Sequence, residues 1–158
     1  MTNQVIKWDA SIAREIIAAH AHLDGAALPI LHAVQDAFGF VSDDALPLIA
    51  DALNISRADI YGVVTFYHDF RRAPPGRCVV KVCRAEACQS MGGREAAAAL
   101  LADRKLDWGE TSADGALTIE AVYCLGFCAV APAAMIDGEP LGRANAARLI
   151  AAVSEGAS

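Results

Sequence analysis

The run Ala73-Pro74-Pro75-Gly76 is the strongest constraint on what this chain can become. Two successive prolines fix φ and remove two backbone donors, and the glycine that follows permits a turn, so regular structure must stop there. The hydrophobic pattern changes across this break. Before it, apolar residues recur at helical spacing: Ile12, Ile16, Ala19 and Leu23, then Leu28, Leu31, Val34 and Phe38. Pro29 suits a first turn and Gly39 a C-terminal cap. Ser42 is placed to cap a third helix carrying Leu46, Ile49, Ala50 and Leu53. Ser56, with Asp59 three residues on, is placed to cap a fourth that continues toward Phe70, with Phe66 and Phe70 on one buried face. Tyr67 and His68 fall off that face. Residues 1–72 therefore read as a helical bundle.

After the break the pattern is mixed. Cys78 to Val82 reads as a strand, Arg94 to Leu106 as a helix and Ala116 to Val122 as a second strand. Ala133 to Ile136, the turn Asp137-Gly138 and Pro140-Leu141 read as a hairpin, and Ala144 to Val153 as a closing helix. This order predicts a small sheet with helices against it over residues 76–158, and an α+β or α/β class for the whole. The chain has 158 residues, 55% of them hydrophobic and 20% charged, enough to build packed cores. Alanine supplies 34 of them, which favours close helix contacts.

A formal net charge of −6 argues against nucleic acid or an anionic membrane as partner. The opening MTNQVIKWDA lacks the apolar run of a secretory signal, and no stretch approaches the roughly 18 apolar residues of a membrane span. The expected setting is the cytoplasm, where five cysteines do not make a disulfide framework. An odd count fits four ligands and one bystander.

Four of the five stand in two pairs. Cys83 and Cys88 form C-x4-C just after the first strand, and Cys124 and Cys128 form C-x3-C just after the second. If the strands run parallel, both loops leave the sheet at the same edge and bring four thiols together. Structural zinc usually takes C-x2-C knuckles, and a thioredoxin-type redox pair needs C-x-x-C; neither spacing is present. A 2Fe–2S cluster tolerates wider, unequal spacings, because each iron needs only two thiolates. The cluster is the favoured reading, with zinc and free core thiols as alternatives. Residues 76–94 hold Arg77, Lys81, Arg84 and Arg94 against Glu86, an excess of positive charge suited to a cluster of net charge about −2. The loop from Ala121 to Ile136 is uncharged and suits an apolar wall, with Gly126 letting backbone N–H groups reach sulfur. Cys78, on the strand, reads as a core residue. His20, His22, His32 and His68 show no ligand spacing, the acids show no catalytic pairing, and no phosphate-binding glycine motif is present.

The segments YGVVTFYHDF (Tyr61–Phe70), VCRAEAC (Val82–Cys88) and YCLGFCAVAPAAMIDGE (Tyr123–Glu139) resemble the thioredoxin-like 2Fe–2S subunit of NADH dehydrogenase modules. That family includes the small iron–sulfur subunit of respiratory complex I, the diaphorase parts of NAD-linked hydrogenases and the gamma subunit of soluble NAD-dependent formate dehydrogenases. Arg84-Ala85-Glu86-Ala87 and Gln89-Ser90 look most like the formate dehydrogenase branch. The resemblance implies a helical bundle followed by a thioredoxin-like domain, with Cys83, Cys88, Cys124 and Cys128 as the ligands of one 2Fe–2S cluster. It implies docking on a larger subunit that holds FMN, the NAD site and a further iron–sulfur cluster, with formate oxidised at a molybdenum centre on another subunit. The chain would then transfer electrons, off the main path and as transient storage, and would have no catalytic residue of its own. Pro132 stands before a strand, where thioredoxin-like folds place a cis proline. The equivalent subunit of complex I or of an NAD-linked hydrogenase, a zinc-stabilised assembly module and a free thioredoxin-like ferredoxin are the competing readings.

Overall fold

The computed structural model describes residues 7–156. They form two compact units that divide between Pro74 and Pro75.

The first unit is helical. Helix α1 (Ala10–His20) starts where the Asp9 carboxylate accepts N–H bonds from Ser11 and Ile12, and it buries Ala13 and Ile17. It ends before Leu23, which is exposed. Helix α2 (Ala27–Phe38) buries Ile30, Leu31, Val34 and Phe38, and stops at Gly39, whose φ of 78° few other residues adopt. Helix α3 (Ala45–Leu53) begins later than Ser42 suggests. The Ser42 hydroxyl accepts the Asp44 N–H at 3.2 Å and shapes the turn ahead of the helix. Helix α4 (Arg57–Phe66) opens with a reciprocal capping box between Ser56 and Asp59.

Helix α4 does not continue toward Phe70. Tyr67 is extended, and the following segment is tied to α2 instead: Gln35 Nε2 donates to Asp69 O at 2.8 Å, and Arg71 N–H donates to Gln35 Oε1 at 2.7 Å. The expected shared face of Phe66 and Phe70 is therefore lost. Phe70 is buried against the His32 ring, whereas Phe66 is 71% exposed.

The second unit is built on a four-stranded mixed sheet, ordered β2-β1-β3-β4. Strand β1 (Cys78–Cys83) pairs parallel with β2 (Leu117–Val122) and antiparallel with β3 (Ala133–Ile136), which pairs antiparallel with β4 (Glu139–Gly142). Gly76 lies so close to β2 that a Cβ would sit 2.7 Å from the Leu117 nitrogen, and its N–H donates to the buried Thr118 hydroxyl at 2.6 Å. A short turn α5 (Glu86–Cys88) and a kinked segment (Gln89–Gly93), off helical geometry at Met91 and Gly92, lead into α6 (Arg94–Arg104), and α7 (Ala146–Gly156) closes the fold. Helices α6 and α7 pack together. Ala96, Ala97 and Leu100 of α6, with Leu149 and Val153 of α7, form a core with Val80 and Val82 of β1 and Ile119 of β2. Among the described residues no helix is long and apolar enough to cross a membrane.

The capping box makes a testable contribution. Ser56→Ala removes an N-cap acceptor and is expected to cost about 1 kcal/mol of urea-unfolding stability. Hydrogen bonds from the Ser56 hydroxyl and N–H hold the Asp59 carboxyl below its ordinary 3.8. Its folded-state value lies under its unfolded one, so its stabilisation is complete above pH about 4 and declines as pH falls through the carboxylate range. The difference in urea midpoint between wild type and Asp59→Ala is therefore expected to shrink on acidification.

Candidate metal centre

Because β1 and β2 are parallel, with Cys83 opposite Val122, both strands end at one edge of the sheet. The Arg84 N–H extends the ladder by one bond, to Val122 O at 2.7 Å. Cys83 is the last residue of β1, and Cys124 lies two residues past the end of β2. Cys88 ends α5, and Cys128 opens a 3-10 turn, Cys128–Val130. The fold thus gathers the two predicted pairs at the same end of two adjacent strands.

The pairs differ in environment. Cys83 and Cys88 are 3% and 2% exposed, in a small core with Ala133 that Leu125, Phe127 and Ala131 border. Cys124 and Cys128 are exposed, with their Sγ atoms 3.9 Å apart. Two thiolates on one tetrahedral metal at about 2.3 Å stand about 3.8 Å apart, so this pair already has the span of a shared metal. Among the described residues no three His, Cys, Asp or Glu side chains gather as a single ion would require. The geometry is that of two pairs.

Backbone donors point at the sulfurs. Gly126, at φ +82°, aims its N–H at Cys124 Sγ from 3.4 Å. Cys124 itself adopts φ +104°, a conformation that costs a non-glycine residue roughly 1–3 kcal/mol and concentrates at functional sites. Burial pushes the Cys83 thiol up, but N–H bonds from Ala85, Leu125 and Cys124, with the Cys88 thiol, outweigh it and leave its pKa below the ordinary thiol value. Burial first, then the Cys83 partner, raise that of Cys88, which accepts from the Ala133 N–H. Hydrogen bonding with Cys124 and its charge raise that of Cys128. The Ala131–Pro132 peptide preceding β3 is cis.

The basic residues between 76 and 94 are dispersed. Arg77 reaches the Asp114 carbonyl, Lys81 pairs with Glu120 across the sheet, Arg84 lies over the Trp108 ring at 4.9 Å and Arg94 donates to Gln89 Oε1 at 2.9 Å. Cys78 is fully buried at the other end of β1, about 16 Å along the strand from Cys83. Burial, then the negative charge of Asp137, push its thiol up to about 12.

Two contributors to the site carry little signal in the sequence. Trp108 is a lone aromatic after a helix, and its partner Arg84 is distant in the chain. Gly93 is marked only by the pair Gly92-Gly93. A Cβ on Gly93 would meet the Cys88 carbonyl oxygen at 2.5 Å, so this glycine lets the kinked segment close over Cys88. Gly93→Ala is expected to cost roughly 1–3 kcal/mol in urea unfolding through overpacking. A Cβ on Gly92 meets nothing nearer than the Glu95 carboxylate at 4.0 Å. Gly92→Ala therefore bears only the strain of its positive φ, about 1 kcal/mol. Equal midpoints for the two variants would contradict the Gly93 contact.

The model of the thioredoxin-like 2Fe-2S ferredoxin family matches residues 13–156. A subunit of the NADH-quinone oxidoreductase of Pseudomonas aeruginosa is 38% identical over 117 residues, covering 74% of this chain and 70% of that protein. NADP-reducing hydrogenase subunit HndA of Solidesulfovibrio fructosivorans is 32% identical over 119 residues, covering 75% and 70%. The crystal structure of an air-oxidized NAD+-reducing NiFe-hydrogenase superposes with a TM-score of 0.69 at 27% identity, covering 82% of this chain but only 22% of the hydrogenase chain. Two parallel strand ends with paired cysteines, and a match over nearly the whole length, place this chain in the thioredoxin-like 2Fe-2S ferredoxin family, as an electron-transfer subunit of the NADH dehydrogenase type.

Proposed function

We propose that this chain is the electron-transfer subunit of a cytoplasmic NAD-dependent formate dehydrogenase, with Cys83, Cys88, Cys124 and Cys128 as the ligands of its 2Fe–2S cluster. The observation that carries the ligand assignment is the meeting of the two cysteine pairs at one sheet edge, with backbone N–H groups directed at their sulfurs. When bound, the cluster supplies a one-electron couple. The chain's own residues hold and tune it. Cys83 and Cys88 fix it from a dry, apolar side, and Leu125 and Phe127 limit water there. Cys124 and Cys128 hold it from the solvent-facing side, where a partner can approach. N–H donors on thiolate sulfur favour the more negative, reduced state.

The partner in this reading would be a flavoprotein subunit that carries FMN and the NAD site, and the four cysteines would hold the cluster for one-electron exchange with it. A molybdenum-bearing subunit oxidises formate. The sequence Arg84-Ala85-Glu86-Ala87 with Gln89-Ser90, similar to the formate dehydrogenase branch, supports this choice. A second reading, the equivalent subunit of complex I, is favoured by the 38% identity to the NADH-quinone oxidoreductase protein of Pseudomonas aeruginosa. Purification of the tagged chain with its native partners separates the two. Formate-dependent NAD+ reduction with stoichiometric molybdenum supports the first; NADH-dependent quinone reduction without molybdenum supports the second.

The ligand assignment has its own test. The purified chain is expected to be coloured, to contain about two irons and to give an S = 1/2 EPR signal after dithionite. Cys124→Ser is expected to abolish the reduced-state signal of the wild-type cluster, and Cys78→Ser to retain it. The reverse outcome overturns the assignment, and a colourless chain with one zinc overturns the electron-transfer reading.

A further inference from the structure

A cleft of about 370 Å³ opens beside α6, within the size range of small-molecule sites. Arg84, Gln89, Arg94 and Trp108 form its polar and aromatic walls, and Ala97, Ala98 and Leu101 form an apolar floor. Of the paired cysteines only Cys83 touches it, so the cleft lies beside the metal centre and opens away from Cys88, Cys124 and Cys128.

Its two guanidinium groups are held in place. Arg84 lies 4.9 Å over the Trp108 ring, a cation–π contact. Gln89 links both arginines: its Nε2 donates to Arg84 O at 2.6 Å, and its Oε1 accepts from Arg94 at 2.9 Å. Each guanidinium has five N–H donors, and among the described residues neither is paired with a carboxylate. Two exposed guanidinium groups without a carboxylate partner thus face one concave, apolar-floored cleft, an arrangement that suits an anion.

We propose that this cleft binds a small organic acid. The acid's carboxylate is received by Arg84 and Arg94, and its apolar body lies on Ala97, Ala98 and Leu101. Inorganic anions leave the floor uncovered, and neutral apolar molecules leave the arginines unpaired. The two features together select a carboxylate on a hydrocarbon or aromatic frame. Trp108 acts here by positioning Arg84.

Calorimetric titration of the full, cluster-bearing chain with naphthoate tests this, with naphthalenemethanol and inorganic phosphate in parallel. Naphthoate is expected to bind at one site per chain with a dissociation constant in the millimolar range or tighter, and each control more weakly. Arg84→Gln and Arg94→Gln are each expected to weaken naphthoate by about tenfold or more, the loss of a charge-assisted bond. Arg77→Gln, outside the cleft, leaves binding unchanged. No naphthoate binding, equal binding of the alcohol or of phosphate, or indifference to both cleft arginine variants overturns the proposal. Unchanged circular dichroism in the variants shows that a loss is local.

Discussion

Parallel pairing of β1 with β2 runs from Cys78 against Leu117 to Cys83 against Val122, and this register decides which side chains meet at the sheet edge. Side chains alternate across a strand, so a slip of one residue would turn every inward group outward. The register is pinned at both ends. At the start, Gly76 passes against Leu117 where no Cβ fits, and the Thr118 hydroxyl takes its N–H. At the finish, the Arg84 N–H bonds to Val122 O. The proline–glycine break that ends the helical unit thus also sets the first contact of the sheet, and the positions of Cys83 and Cys124 follow from it.

Much of this is legible in the residues. Two cysteine pairs at strand ends, a glycine in the second loop and an uncharged wall predict a centre at one edge, and Gly126 directs its N–H at Cys124. The illegible parts depend on contacts distant in sequence. Helical spacing suggests that α4 runs on to Phe70, but Gln35 captures the backbone at Asp69 and Arg71 and draws the chain off its helical path. No local pattern shows a competitor more than thirty residues away. The run of basic residues before α6 suggests charge gathered at the sulfurs. Alternation along β1 instead sends Lys81 to Glu120, and Trp108 takes Arg84. The tuning groups at the sulfurs are backbone dipoles, which sequence composition does not display.

The fifth cysteine shows how strictly the fold sorts identical side chains. Cys78 and Cys83 lie on one strand, five residues apart, and an odd separation places them on opposite faces. Cys78 joins Val80 and Val82 in the core beneath α6 and α7, whereas Cys83 joins Cys88 and Ala133. Even a flexible strand could not bring Cys78 to the site, because it also starts at the far end of β1. Its chemistry agrees with its position. A metal ligand must give up its proton, and burial together with the Asp137 carboxylate holds the Cys78 thiol protonated up to about 12. At Cys83 burial also opposes ionisation, but three backbone N–H groups and the neighbouring thiol outweigh it. Burial alone therefore does not distinguish the two thiols of β1; the donors that converge on the Cys83 sulfur do.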